Sequence, residues 1–225
     1  MIQRRNWRIW LKPIGALPLL LLSGCTQHVS NLNDTLKEAF WGLDDVEVST
    51  QTLNNLPYAS TYVRINDGQR VFMVLAFAEK NPETGHTQLK WVSQDGAMLV
   101  TEQGRIVKTS RLFIDNLARR SDSAVNWQDK GHWSAVYDWS KGHQYGYSGQ
   151  VQLHYLDKQT SSTPLWSKTL DHWQETITFS DFDTTMRNEY WVDSQGTVLK
   201  SIQYLGPEMA RIEMNILKPF VDTQS

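Results

Sequence analysis

The sequence predicts a mainly β protein: a single antiparallel β domain, a partly open or closed barrel, with one short N-terminal helix. Three observations predict it. From Tyr58 onward, short runs rich in Val, Ile, Tyr, Trp and Thr are separated by Asn-Asp-Gly, Asp-Gly and Gln-Gly dipeptides and tripeptides suited to hairpin turns. Trp133, Ala135, Tyr137 and Trp139 alternate with more polar neighbours, as do Tyr145, Tyr147, Gly149, Val151, Leu153 and Tyr155, which gives each strand one buried face at period two. About ten such runs fall in one uninterrupted unit, and antiparallel sheets of that size curl or close to protect their edges.

The chain opens differently. Arg4, Arg5, Arg8 and Lys12 form a basic start, followed by an apolar run from Pro13 to Leu22 that ends in Ser23 and Gly24. This is the layout of a secretory signal, and the run has about half of the roughly 20 apolar residues that a spanning helix needs. Leu22-Ser23-Gly24-Cys25 resembles the bacterial lipoprotein signal, in which the cysteine is acylated and becomes the first residue of the mature protein. Residues 1–24 are therefore expected to be a lipoprotein signal peptide and Cys25 the lipid attachment site. Cys25 is the one cysteine of the sequence, so no disulfide competes for it. Two or more acyl chains anchor stably where one does not, at about 0.8 kcal/mol per buried methylene. By resemblance to sorted lipoproteins, Thr26 after the cysteine implies the outer membrane, with the domain facing the periplasm.

Residues 25–45 are expected to hold a polar tether and the helix. Leu32, Leu36, Phe40 and Leu43 line one helical face, with Asn33 or Asp34 as cap and Gly42 as stop. One further turn is expected over Leu53 to Pro57. Residues 46–225 then form the barrel-like domain. Its expected strands include Thr61–Ile65, Gln69–Ala78, His86–Val92, Ala97–Thr101 and Arg105–Ser110. A brief helical link is expected over Leu112–Arg119, and a separate short strand over Leu165–Lys168. Trp91-Val92 with Gly96 and Leu99 is echoed by Trp191-Val192 with Gly196 and Leu199, which reads as reuse of one turn chemistry, with a structural duplication as the alternative.

Charge excludes some partners. The full chain holds 22 basic and 24 acidic residues, and with the four basic residues of the leader removed the remainder carries 18 against 24, a net charge of −6. Nucleic acid and a polybasic grip on anionic lipid both need clustered Lys and Arg, so neither is expected.

No reactive constellation stands out. Gly146-Tyr147-Ser148-Gly149-Gln150 has Gln150 where a nucleophile elbow needs glycine, and it lies within a strand pattern. His132, His143, His154 and His172 lack ligand spacing, so no metal and no cofactor is expected. Glu175, Asp181 and Asp183 are the carboxylates to weigh for glycoside hydrolysis, which needs two carboxyl groups about 5–10 Å apart across a sugar. The aromatic excess is the better clue. Ten tryptophans are present, and Trp127, Trp133 and Trp139 are singled out as possible glycan or partner contacts, since flat rings stack on sugars as well as pack cores.

Taken together, the Leu22–Cys25 signal, Leu56-Pro57-Tyr58-Ala59-Ser60, Trp91-Val92-Ser93-Gln94-Asp95-Gly96, Gly104-Arg105-Ile106-Val107-Lys108-Thr109, Trp191 to Gly196 and Leu217-Lys218-Pro219 resemble the YjbF-type, or group 4 capsule, lipoproteins. The resemblance spans nearly the whole mature chain. It implies an outer-membrane lipoprotein with a mostly β, partly open barrel, working with capsule or exopolysaccharide export machinery, and it carries over no catalytic residue. One departure is Ser110-Arg111, where the resemblance leads us to expect a glycine after Thr109. The expected function is that of a non-enzymatic accessory factor that binds polysaccharide export components or the polysaccharide. Two alternatives are a lipid or lipoprotein carrier, with a cavity lined by Val, Leu and Met, and a glycan-modifying hydrolase, with paired carboxylates in a cleft.

Overall fold

The computed structural model describes residues 45–122, 127 and 131–222. The expected signal peptide, Cys25 and the helix expected over 32–43 lie outside the described residues. Among the described residues, no helix is long and apolar enough to cross a membrane.

Turn chemistry dictates a run of hairpins. The strands are β1 (Ser60–Ile65), β2 (Arg70–Lys80), β3 (Thr87–Val92), β4 (Met98–Glu102), β5 (Arg105–Ser110), β6 (Leu117–Asp122), β7 (His132–Trp139), β8 (Gln144–Ser162), β9 (Ser167–Phe179), β10 (Thr184–Val192), β11 (Val198–Tyr204) and β12 (Arg211–Lys218). They form one twelve-stranded antiparallel sheet nearly closed into a barrel. Neighbours in sequence are neighbours in the sheet, and β1 pairs with β12 through Val63 opposite Met214. A seam between β5 and β6, which share no ladder, interrupts the ring.

Side chains stitch that seam. Thr109 Oγ1 accepts the backbone N–H of Leu117 at 2.9 Å and donates to Asn116 Oδ1 at 3.2 Å. From the opposite wall, Gln203 Oε1 accepts the Ile106 N–H at 2.9 Å while its Nε2 donates to Gly104 O at 2.9 Å. The interior holds Val63, Met73, Trp91, Leu99, Ile106, Tyr137, Val151, Ile177, Phe179 and Met214, all buried.

The one α-helix among the described residues, α1 (Thr50–Asn55), begins earlier than the turn expected at Leu53. Ser49 accounts for this: its Oγ accepts the Thr52 N–H at 3.1 Å, capping the first turn. Leu56 is extended because Pro57 follows it. Leu53 and Leu56 pack on the outer face of the barrel, against Tyr62, Phe72 and Leu217.

Two expectations are corrected. Leu112–Arg119 is not helical; its second half begins β6, which pairs with β7 because Leu117 and Arg120 both point into the interior, the latter onto a carboxylate described below. Leu165–Lys168 is not a separate strand. Residues 163–166 make the tip of a long hairpin, closed by Thr163 N–H to Trp166 O at 2.8 Å, and β9 runs unbroken from Ser167. The distal part of that hairpin bends at a bulge between Tyr155 and Asp157 and lies outside the barrel, where Trp166 Nε1 donates to Ile216 O at 3.0 Å and His172 stacks on Trp191 at 4.5 Å.

The echoed hairpins share turn bonds and differ in facing. Gly96 N–H donates to Ser93 O and Gly196 N–H to Asp193 O, each at 3.0 Å. Trp91 faces the interior, whereas Tyr190 takes the interior position in β10 and so turns Trp191 outward beneath the hairpin arm. The echo is one of turn chemistry. At the departure from the family pattern, Arg111 adopts φ 57°, the left-handed conformation that favours glycine, and its guanidinium lies against Gly96.

Candidate functional site

Three features of the barrel have chemical content: a charged cluster in the interior, and one recess at each end. The cluster is centred on Glu175 of β9, fully buried at the interior phase shared by Trp173, Ile177 and Phe179. Arg105 Nε of β5 donates to Glu175 Oε2 at 2.7 Å, and Arg120 Nη2 of β6 donates to Oε1 at 2.9 Å. The same Arg120 nitrogen donates to Asp122 Oδ2 at 2.7 Å. Tyr190 Oη, 3.2 Å from Glu175 Oε1, also lies 3.1 Å from Gln203 Oε1. Two guanidiniums thus balance two carboxylates, and Arg105 lies over the Trp127 ring at 4.3 Å.

Electrostatics follow from that geometry. Burial pushes the Glu175 carboxyl up, but the Arg120 and Arg105 guanidiniums outweigh it and hold it down at about 2. Burial opposes the charge on Arg120, and Asp122 and Glu175 together hold its pKa well above the ordinary value. Burial raises Tyr137 and Tyr190 far above the usual phenol range, so both stay neutral. An ionised carboxylate saturated with donors and sealed from solvent has no proton to give and no path to a substrate. Its chemistry is that of a clasp joining β5 and β6, the two strands that share no ladder, to the far wall.

At the end of the barrel that carries the β4–β5 and β10–β11 turns, the opening is divided. Gly104, at φ +80°, sits so close to Val198 that a Cβ there would come within 2.3 Å of its Cγ2. On one side of this pinch Trp127 plugs the barrel against Leu153, Trp173, Tyr190 and Val192. On the other side a cavity of about 290 Å³ remains, its wall mixed: Leu89, Trp91, Met214 and Ile216 stand beside polar residues that include His86 and Gln103.

The opposite end carries a cleft of about 610 Å³ lined by Trp139, Gln144, Phe182, Asp183 and Glu208, among others. Phe182 packs on Tyr147 at 4.7 Å and is more than one-third exposed. Lys141 and Asp115 form an exposed ion pair on its rim at 2.9 Å. Rings beside amides and carboxylates suit a ligand with both flat apolar faces and hydroxyl groups.

The structure disperses the residues singled out from sequence. Trp127 and Trp139 are buried, the first as the plug and the second with Nε1 donating to Leu205 O at 2.8 Å, so neither offers an open ring face. Trp139 takes the inward phase of β7 and Trp127 packs against Trp173 and Tyr190, and inward is where the largest apolar rings bury most area. Trp133 is half-buried, its Nε1 donating to Asp122 Oδ2 at 3.2 Å. The more exposed rings are Phe113, Tyr145, Phe77, Tyr155, Tyr204 and Phe182. Asp181 and Asp183 lie on an exposed turn after β9, whereas Glu175 lies inside, so the three carboxylates are not brought together. Ser148 is an exposed mid-strand residue. His132, His143 and His154 are exposed, and among the described residues no His, Cys, Asp and Glu group has metal-binding geometry. Sequence reasoning passed over Arg105 and Arg120. The signal for them was Glu175, a charge standing in phase with Trp173 and Ile177 where an apolar residue belongs.

Comparison with known proteins agrees with this architecture. Residues 33–217 match the family model YjbF, described as group 4 capsule polysaccharide lipoprotein gfcB, YjbF. The chain is 32% identical over 209 residues to the uncharacterized lipoprotein GfcB of Escherichia coli (strain K12), covering 89% of this chain and 94% of that protein. It is 31% identical over 220 residues to the uncharacterized lipoprotein YjbF of the same strain, covering 92% and 97% respectively. The crystal structure of the hypothetical lipoprotein YmcC from Escherichia coli (K12) superposes with a TM-score of 0.74 at 28% identity, covering 88% of this chain and 99% of that one.

Proposed function

Because this chain belongs to the YjbF family of group 4 capsule polysaccharide lipoproteins, we propose that it is a non-enzymatic binding factor in the production and export of a capsule or exopolysaccharide. In this proposal acylated Cys25 holds it on the outer membrane with the barrel facing the periplasm. There the anchor raises its effective concentration toward export components and toward polymer in transit. The observation that carries a binding role is the cleft at Phe182, where an exposed ring stands beside Gln144, Asp183 and Glu208. Glu175 supports the non-enzymatic part, since the interior carboxylate with the most perturbed pKa is committed to two arginines.

The test is calorimetric titration of the full chain with oligosaccharides cut from the producing strain's own polymer. Saturable binding that weakens at least fivefold in Phe182→Ala, with polymer length unchanged after prolonged incubation, is the expected result. Shortening of the polymer, abolished by Asp183→Asn, would replace the proposal with a hydrolase.

A further inference from the structure

The two ends of the barrel carry connections of different kinds. At the pinched end the β2–β3, β4–β5 and β10–β11 connections, residues 81–86, 103–104 and 193–197, hold no apolar side chain larger than proline. At the cleft end, three connections bring out rings. Phe113 of the β5–β6 link is 84% exposed, the most of any large apolar side chain among the described residues, and Tyr145, just past the β7–β8 turn, and Phe182 of the β9–β10 turn are exposed as well. The link holds Phe113 outward. Leu112 and Ile114 on either side pack against the interior cluster, and Asn116 secures the backbone there, its Oδ1 accepting the Leu112 N–H at 3.3 Å and its Nδ2 donating to Ile114 O at 3.1 Å. Backbone groups bonded within the link lose less on leaving water.

The chain reaches the barrel at this same end. Asp45 accepts the Arg70 N–H at 2.9 Å and pairs with Arg64, on the two strands that the 66–69 turn joins, and Asn66 of that turn borders one recess with Phe113. Cys25 precedes Asp45 by 20 residues. Such a length spans about 25 Å, whether coiled throughout or with the helix expected over 32–43, whereas the eleven residues of β2 reach about 35 Å toward the other end. An acylated Cys25 therefore draws the cleft end to the bilayer.

Charge narrows the kind of bilayer. Asp67 and Asp115 are paired with Arg211 and Lys141. Asp181, Asp183 and Glu208, like Arg111, have no opposite charge within ion-pair distance among the described residues, which leaves carboxylate in excess at this end. Such a surface repels anionic lipid and accepts headgroups of no net charge.

We propose that the cleft end rests on a zwitterionic phospholipid surface, with Phe113 among the acyl chains and Tyr145 at the headgroups, where a ring with one polar atom is suited. This rests on the acylated anchor of the proposed function and is separate from polymer binding; the Phe182 cleft opens beside the contact.

The test is hydrogen exchange of the full chain in nanodiscs of phosphatidylethanolamine and phosphatidylcholine, read against the soluble Cys25→Ser variant. Amides of residues 111–116 should exchange about tenfold more slowly on the nanodisc, in keeping with one phenyl ring leaving water, and those of 81–86 and 193–197 at the same rate in both. Phe113→Asp, at an exposed position, should abolish the slowing while the protein stays in the nanodisc fraction and keeps its urea midpoint. Added phosphatidylglycerol should reduce the slowing. Equal exchange at 111–116 in the two forms overturns the proposal, as does slowing confined to 81–86 and 193–197 or slowing at 111–116 that survives Phe113→Asp. Slowing that grows with phosphatidylglycerol overturns the choice of lipid. A wild-type chain absent from the nanodisc fraction overturns the anchor and this proposal together, whereas the other failures leave the anchor standing.

Discussion

The side-chain amide of Gln203 on β11 reaches across the barrel to the backbone of β5, accepting the Ile106 N–H and donating to Gly104 O, each at 2.9 Å. A strand with no ladder partner on one side is held by the wall it faces. Gln203→Leu keeps the volume and removes both bonds, leaving the Ile106 N–H unsatisfied and one partner of Tyr190 Oη gone. The expected cost is about 2–4 kcal/mol, read as a lower urea midpoint at unchanged slope.

Glu175 sets an acid limit. Its folded-state pKa of about 2 lies below the ordinary value of 4.5, so the stability it contributes is fully present above pH 4.5 and is lost as pH falls toward 2. The difference corresponds to roughly 3 kcal/mol. Glu175→Gln leaves Arg105 and Arg120 buried with no neutralising partner at that position, at an expected cost of about 3–5 kcal/mol near neutrality. Urea melts at several pH values are the check: the variant's stability should fall less steeply than the wild type's between pH 4.5 and 2.

Gly104→Ala meets two obstacles, a left-handed φ of +80° and a Cβ 2.3 Å from Val198 Cγ2. The backbone alone contributes about 1–3 kcal/mol. Val198→Ala in the same chain removes the collision and not the strain, so the double variant should recover part of the loss. A coupling near zero in the thermodynamic cycle would show that the pinch is not a contact of consequence.

Cys25→Ser bears on the anchor. Labelled palmitate should appear on the wild-type protein and be absent from the variant, which should move from the membrane to the soluble fraction. The proposed tether fails if the two proteins carry equal label.

Much of the sheet was legible because hairpins are local. Asp95-Gly96, Gln103-Gly104 and the alternation from Trp133 to Trp139 each lie within a short window, and the structure places turns and strands at all three. β6 was not legible: Leu117-Ala118-Arg119-Arg120-Ser121-Asp122 puts charge at inward positions, and Arg120 is buried only because Glu175 waits for it 55 residues later. Pattern reading assumes that interiors are apolar, and it fails where an ion pair occupies one. The candidate site was less legible still. Trp127 and Trp139 belong to a stretch whose aromatic richness is shared by cores and binding faces, and the choice between them depends on which wall stands opposite. Phe182 drew no notice because a single ring in Ser180-Asp181-Phe182-Asp183 has no periodicity to mark it.

Thr61 Oγ1 donates to Asn215 O across 154 residues of chain, at the junction where β1 meets β12. A polypeptide emerging from its amino end must therefore hold β1 and then strand after strand with one border bare until residues 211–218 arrive. Long-range pairing of this kind is slow and leaves edges open to neighbours. A chain cut short before Arg211 would leave both β1 and β11 without the partner that joins them, a ribbon with its borders open.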